Sequence, residues 1–169
     1  MDKLDAFLAF VGTASTVYLI LTAVIFLWGI FSGFLPVLVR LGWGLWNRKV
    51  AIVARGDNLS NLVALLTDSR LFKLDNIIRV AGSDQLEAID RSTVILLHWA
   101  DCGSDIEEIL PRKKENTPLI IYAPVGAGRI PDEVMVRLET RKHVFVTNFR
   151  GRLMNDVVTS MITTSYEER

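Results

Sequence analysis

The chain holds one cysteine, Cys102, and two histidines, His98 and His143. A single thiol excludes an intrachain disulfide and a multi-cysteine zinc site, and no metal-ligand spacing appears anywhere along the sequence. Net charge is missing too. The 19 Lys and Arg offset 19 Asp and Glu, which argues against the broad basic footprint of a general nucleic-acid binder. Repeats, low-complexity tracts and long linkers are also absent. The most informative absence is local: from Ala6 to Val39 there is no Asp, Glu, Lys, Arg or His.

A run of this kind reads as a membrane segment. About 20 apolar helical residues cross the roughly 30 Å hydrocarbon core, so the run exceeds one span and falls short of two comfortable ones. A cleaved signal peptide fits poorly, because Asp2 and Asp5 outweigh Lys3 where a basic n-region belongs, and the apolar run is too long for an h-region. Arg40, Arg48, Lys49 and Arg55 follow it. Lys/Arg excess marks the cytoplasmic side, so the C-terminal region is expected in the cytoplasm. Trp43 and Trp46 have the character of an interfacial belt. Ser32, Gly33 and Pro36 interrupt the apolar pattern. Two topologies stay open: one span over residues 6–31 followed by an interfacial helix over 34–47, or a tight membrane hairpin. Gly29 and Gly33 form a GxxxG, a pattern that lets helices approach closely, which makes the lipid bilayer and further copies of the chain the expected partners.

The chain divides into a membrane segment with its interfacial helix, residues 1–47, and an α/β domain, residues 48–169. Periodicity organises the second part. Lys49–Ala54 is a short apolar run ended by Arg55, Gly56, Asp57 and Asn58, after which Leu59, Leu62, Val63, Leu65 and Leu66 recur at helical spacing. A second strand is expected over Asn76–Val80, with a brief helix from Asp84 to Ile89. Thr93–His98 is apolar at consecutive positions, as in a strand covered on both faces. A helix over Asp105–Lys114 capped by Ser104, a strand over Leu119–Tyr122, a helix over Asp132–Thr140, a strand over His143–Thr147 and a closing helix over Arg152–Thr164 complete the pattern. Strands alternating with helices predict a five-stranded parallel α/β sandwich, TIR-like or flavodoxin-like.

Open parallel sheets bind ligands at the carboxyl ends of their strands. Here those ends carry Arg55 and Asn58 after the first strand, Gly126, Gly128 and Arg129 after the fourth, and Asn148 and Arg150 after the fifth. Glycine N–H groups, helix N-termini and guanidinium groups are the parts an anion such as a nucleotide phosphate requires. The same residues also suit a plain loop, since no GxGxxG follows the first strand.

The pattern argues against a phosphoacceptor receiver domain, because Arg55, His98 and Thr147 stand where that family needs its acidic pair, aspartate and lysine. Cys102 and His98 are four residues apart, but no third group is evident to orient a nucleophilic pair. The stretch VAGSDQLEAIDRSTVILL, Val80–Leu97, resembles the TIR-domain pattern of a loop, a short helix and a hydrophobic central strand; Trp99, Cys102, Glu107 and Glu108 loosely resemble its Trp-Cys phrase and acidic helix. That resemblance implies an NAD-cleaving activity with Glu107 or Glu108 as the catalytic carboxylate and NAD as the molecule acted on. Strand one departs from the family opening, and Trp99 is spaced differently.

In layout the chain is similar to the small membrane effectors of prokaryotic antiviral defence systems, among them the two-transmembrane effector of certain retrons. That similarity implies a bacterial inner-membrane protein whose cytoplasmic α/β domain gates or assembles a membrane-disrupting segment. It also implies an activating partner, which is a defence-system protein, a nucleic acid or a nucleotide signal. No resident cofactor is expected. The rival expectations are a membrane-anchored TIR-like enzyme and a membrane scaffold that recruits a cytosolic protein.

Overall fold

The computed structural model describes residues 2–34 and 48–167, in two compact units that are taken separately. The first is one long helix, α1, over Asp2–Gly29. It continues as a π-helical turn over Ile30–Phe34. Several of its hydroxyls bond the helix backbone: Thr16 donates to the Gly12 carbonyl at 2.8 Å, Thr22 to Tyr18 at 2.9 Å and Ser32 to Trp28 at 2.6 Å. Such back-bonding lets polar residues sit in an apolar helix without unpaired groups. Phe10–Gly33, 24 residues of which none is buried, is long and apolar enough to cross a membrane; at 1.5 Å per residue it would reach about 36 Å. The chain passes through Gly29, Ser32 and Gly33 as helix rather than breaking there. Pro36, Arg40, Trp43 and Trp46, on which the hairpin, the interfacial helix and the aromatic belt depend, lie outside the described residues.

The second unit is the expected α/β sandwich. Its strands are β1 (Val50–Val53), β2 (Ile77–Val80), β3 (Val94–His98), β4 (Leu119–Tyr122) and β5 (Val144–Thr147). They pair in the order β2-β1-β3-β4-β5, all parallel. This is a doubly wound order, and its switch point falls between β1 and β3. The helices are α2 (Gly56–Asp68), the single turn α3 (Trp99–Cys102), α4 (Ile106–Arg112), α5 (Asp132–Glu139) and α6 (Arg150–Glu167). The expected helix over Asp84–Ile89 is a 3-10 segment, Ser83–Arg91.

Strand alternation sorts the core into two. Ala51, Val53, Ile95, Leu97, Leu119 and Ile121 pack with Ile106, Ile109 and Leu138 of α4 and α5. On the other face Val50, Ile52, Leu96 and Ile120 pack with Leu62 and Leu66 of α2 and with Leu153, Val157 and Met161 of α6. The three middle strands therefore read as continuous apolar runs, and β1 and β3 are buried at every position. β5 lies at the sheet edge, where Phe145 and Val146 stay exposed.

Candidate functional site

The carboxyl end of the sheet gathers most of the residues expected to carry function. β1 hands over to α2 through Arg55, in extended backbone, and Gly56, at φ +55°. That left-handed conformation strains any residue with a Cβ, so glycine makes the tight turn at the start of α2 possible. β3 ends in His98, and α3 begins at the very next residue.

These two junctions are tied together by carboxylates. Asp101 accepts from the backbone N–H of Arg55 at 3.1 Å. Its two oxygens also lie 3.1 and 3.0 Å from the Asn58 amide nitrogen. Asp105 holds the Arg55 guanidinium at 3.0 Å, and Ser104 donates its hydroxyl to the second Asp105 oxygen at 3.1 Å. The chain's own acids thus fill the switch point. A helix N-terminus attracts negative charge through its unpaired N–H groups and dipole, and at α2 that charge comes from Asp101.

Beneath Asp101 lies His98, 4% exposed. Its Nδ1 stands 3.1 Å from an Asp101 oxygen, but the approach is not aligned for a hydrogen bond, and Nδ1 has no such partner. The ring meets Tyr122 edge-on, centroids 5.6 Å apart at 63°. His98 is in register with Tyr122, and Tyr122 with Thr147. The three form a row across β3, β4 and β5 on the face that α2 and α6 cover, because Tyr122 packs against that core. Thr147, 3% exposed, has an Oγ1 with no hydrogen-bond partner.

Cys102 belongs to the opposite core, with Ile106 and Ile109. His98 faces the other core, with Tyr122, so the two do not form a nucleophilic pair. Burial pushes its thiol up to about 11, the nearby Arg55 opposing; the thiolate required for attack is scarce at neutral pH.

Glu107 and Glu108 lie on the solvent side of α4, away from the buried Ile106, Ile109 and Leu110. Glu107 bonds the Arg137 guanidinium of α5 at 2.7 Å, both about half exposed. The remaining expected ligand residues sit over β4 and β5. Gly126 and Gly128 turn their loop at φ +91° and +98°. Arg129 pairs with Asp132 at 2.8 Å on the surface. Asn148 and Arg150 are exposed at the entry to α6. β1 and β4 are two strand spacings apart, roughly 10 Å, so the expected anion set is two groups rather than one ring.

Among the described residues no group of three or more His, Cys, Asp or Glu could hold a metal ion. The sequence reading missed the part played by Asp101 and Asp105. The signal for it was two acids placed after a buried central strand, opposite the Arg-Gly-Asp-Asn turn that ends β1. Compared with known proteins, the chain matches no family model, no curated protein and no solved structure.

Proposed function

We propose that this chain is a membrane effector whose α/β unit controls assembly of the α1 segment in the cell membrane, with that unit on the cytoplasmic side. One observation carries the reading: along Phe10–Gly33 the large apolar side chains have no cover of their own. Phe10, Tyr18, Ile25 and Trp28 are 71, 72, 69 and 74% exposed. Apolar surface of this extent is unfavourable in water at about 25 cal/mol per Å², which supports cover by lipid or by sister helices. The α/β unit has its own two-sided core, as a control element separate from the span requires. The layout shared with small membrane effectors supports a role in antiviral defence.

The test is expression in bacteria with a potential-sensitive dye, with NAD measured in the same culture. Depolarisation with intact NAD is the expected result. NAD loss that precedes any change in potential would overturn the reading in favour of an anchored NAD-cleaving enzyme.

A further inference from the structure

Two long helices begin at the carboxyl end of the sheet on the same face, the 13-residue α2 and the 18-residue α6. Each presents unpaired N–H groups there, which makes each a candidate seat for an anion. The structure treats them in opposite ways. At α2, Asp101 already occupies the entry, Arg55 is taken by Asp105, and Asp57 adds a third acid in the first turn. An incoming phosphate would meet three carboxylates.

At α6 there is no acid in the first turn. Arg150 and Arg152 stand there instead; Arg152 pairs with Asp156 at 3.3 Å, while the Arg150 side chain engages no other described residue. Cations at a helix N-terminus run against the dipole unless an anion joins them. Asn148 is a residue type able to cap a helix, yet its side chain makes no hydrogen bond to the described residues. Directly before it, three residues ahead of the start of α6, stands Thr147, whose buried Oγ1 lacks a partner on the side of the sheet that α6 covers. A buried hydroxyl without a partner is costly, and a ligand oxygen would satisfy it. The adjoining β4 loop leaves open space where Gly126 and Gly128 lack a Cβ, so a ligand can approach its backbone closely.

We infer that the first turn of α6, with Arg150 and the Thr147 hydroxyl, binds the phosphate group of a small molecule or lipid headgroup, and that the first turn of α2 does not. For what binding does, the inference rests on the α/β unit being a control element; the binding itself is read independently.

The experiment uses the full chain in zwitterionic lipid nanodiscs, labelled with 15N-glycine so that Gly151 reports on α6 and Gly56 on α2. Inorganic phosphate, a nucleoside monophosphate and the bare nucleoside are titrated in turn. Gly151 should shift saturably with both phosphates and not with the nucleoside, and Gly56 should stay still. Arg150→Glu should weaken binding at least tenfold, and Thr147→Val, nearly isosteric, several-fold with the spectrum otherwise unchanged. A Gly151 signal already shifted in nanodiscs containing phosphatidylglycerol, and insensitive to added phosphate, would assign the phosphate to lipid and uphold the site. A still Gly151, a shift unaffected by Arg150→Glu, or movement at Gly56 instead would overturn it. Binding that is lost in Arg150→Glu while depolarisation in cells stays unchanged would uphold the site and sink the control function.

Discussion

Asp101 lies 3.1 Å from the backbone nitrogen of Arg55, a residue 46 positions earlier, and so closes the first turn of α2 from outside that helix. The same carboxylate engages Asn58 and stands over His98. A single acid thereby joins the two loops that flank the switch point, the place where doubly wound sheets of this order usually open toward a ligand.

Removing that carboxylate should be felt as lost stability. Asp101→Ala leaves the Arg55 N–H and the Asn58 amide without their acceptor in a partly buried site, at about 1–3 kcal/mol. Denaturation of the full chain, followed by near-ultraviolet circular dichroism, measures it. A loss below about 0.5 kcal/mol, the size of an ordinary surface change, would mean that water replaces Asp101 freely.

Cys102 should be chemically silent. It is the only thiol in the chain, 1% exposed, with burial holding its pKa at about 11. Ellman's reagent should therefore react with the native protein at pH 8 far more slowly than with the unfolded chain, and Cys102→Ala should keep any membrane activity. Fast stoichiometric labelling under native conditions would show that the α3 turn opens readily.

Glu107→Gln tests whether the acidic helix carries chemistry. Its ion pair with Arg137 joins two half-exposed side chains, and pairs of that kind contribute about 0–1 kcal/mol. Stability should change by no more than that, and NAD turnover by the purified chain should be equally absent in both proteins. An NAD-cleaving activity of the parent chain that disappears in this variant would restore the TIR-like enzyme.

The sheet was legible because its middle strands are buried on both faces, and Thr93–His98 and Leu119–Tyr122 carry apolar residues at consecutive positions as that requires. The segment between β3 and β4 was less so. Its pattern predicts one helix over Asp105–Lys114 with a Ser104 cap, whereas the chain makes the turn Trp99–Cys102, a 3-10 turn over Gly103–Asp105 and then α4 from Ile106 with no side-chain cap. Gly103 packs against the ring of Trp99, four residues before it, where a Cβ would come within 2.9 Å of the indole, a local contact that hydrophobic periodicity does not register. The ligand residues could be found by position, but which of them are already spent was not readable. Asp101 and Arg55 meet only after the strand order brings β1 beside β3, and a solvated acid looks the same in sequence as one that caps a distant helix.

Lys113 gives a pH dependence of known sign. Burial holds its ammonium below the ordinary 10.5, with repulsion from Arg141 adding and Glu115 opposing. The folded state therefore binds this proton less tightly than the unfolded state, and the destabilising contribution is present in full below the lowered value. It fades as pH rises from that value toward 10.5. Since the group is partly solvated, the effect is small. Lys113→Met should flatten the difference in stability between neutral and alkaline pH relative to the parent chain. A parent whose stability falls more steeply than the variant's across that window would reverse the sign and refute the assignment.

Gly29 and Gly33 separate the fold of the membrane helix from its assembly. A Cβ at either would meet nothing within 4 Å among the described residues, so a larger side chain disturbs no described contact of the monomer. The pair straddles the junction of α1 with the π turn, a local widening often found where helices do specific work. Replacing both with Leu keeps the segment apolar, and insertion should survive. Close approach between sister helices, worth roughly 1 kcal/mol per contact, should be lost. A single substitution should weaken cross-linking in isolated membranes, and Gly29→Leu/Gly33→Leu should abolish both cross-linked oligomers and dye-reported depolarisation. Because the monomer has no described internal contact to lose at these positions, a defect in assembly points to contacts between chains. A double variant that inserts, still cross-links and still depolarises cells would show that these glycines are ordinary membrane-helix composition.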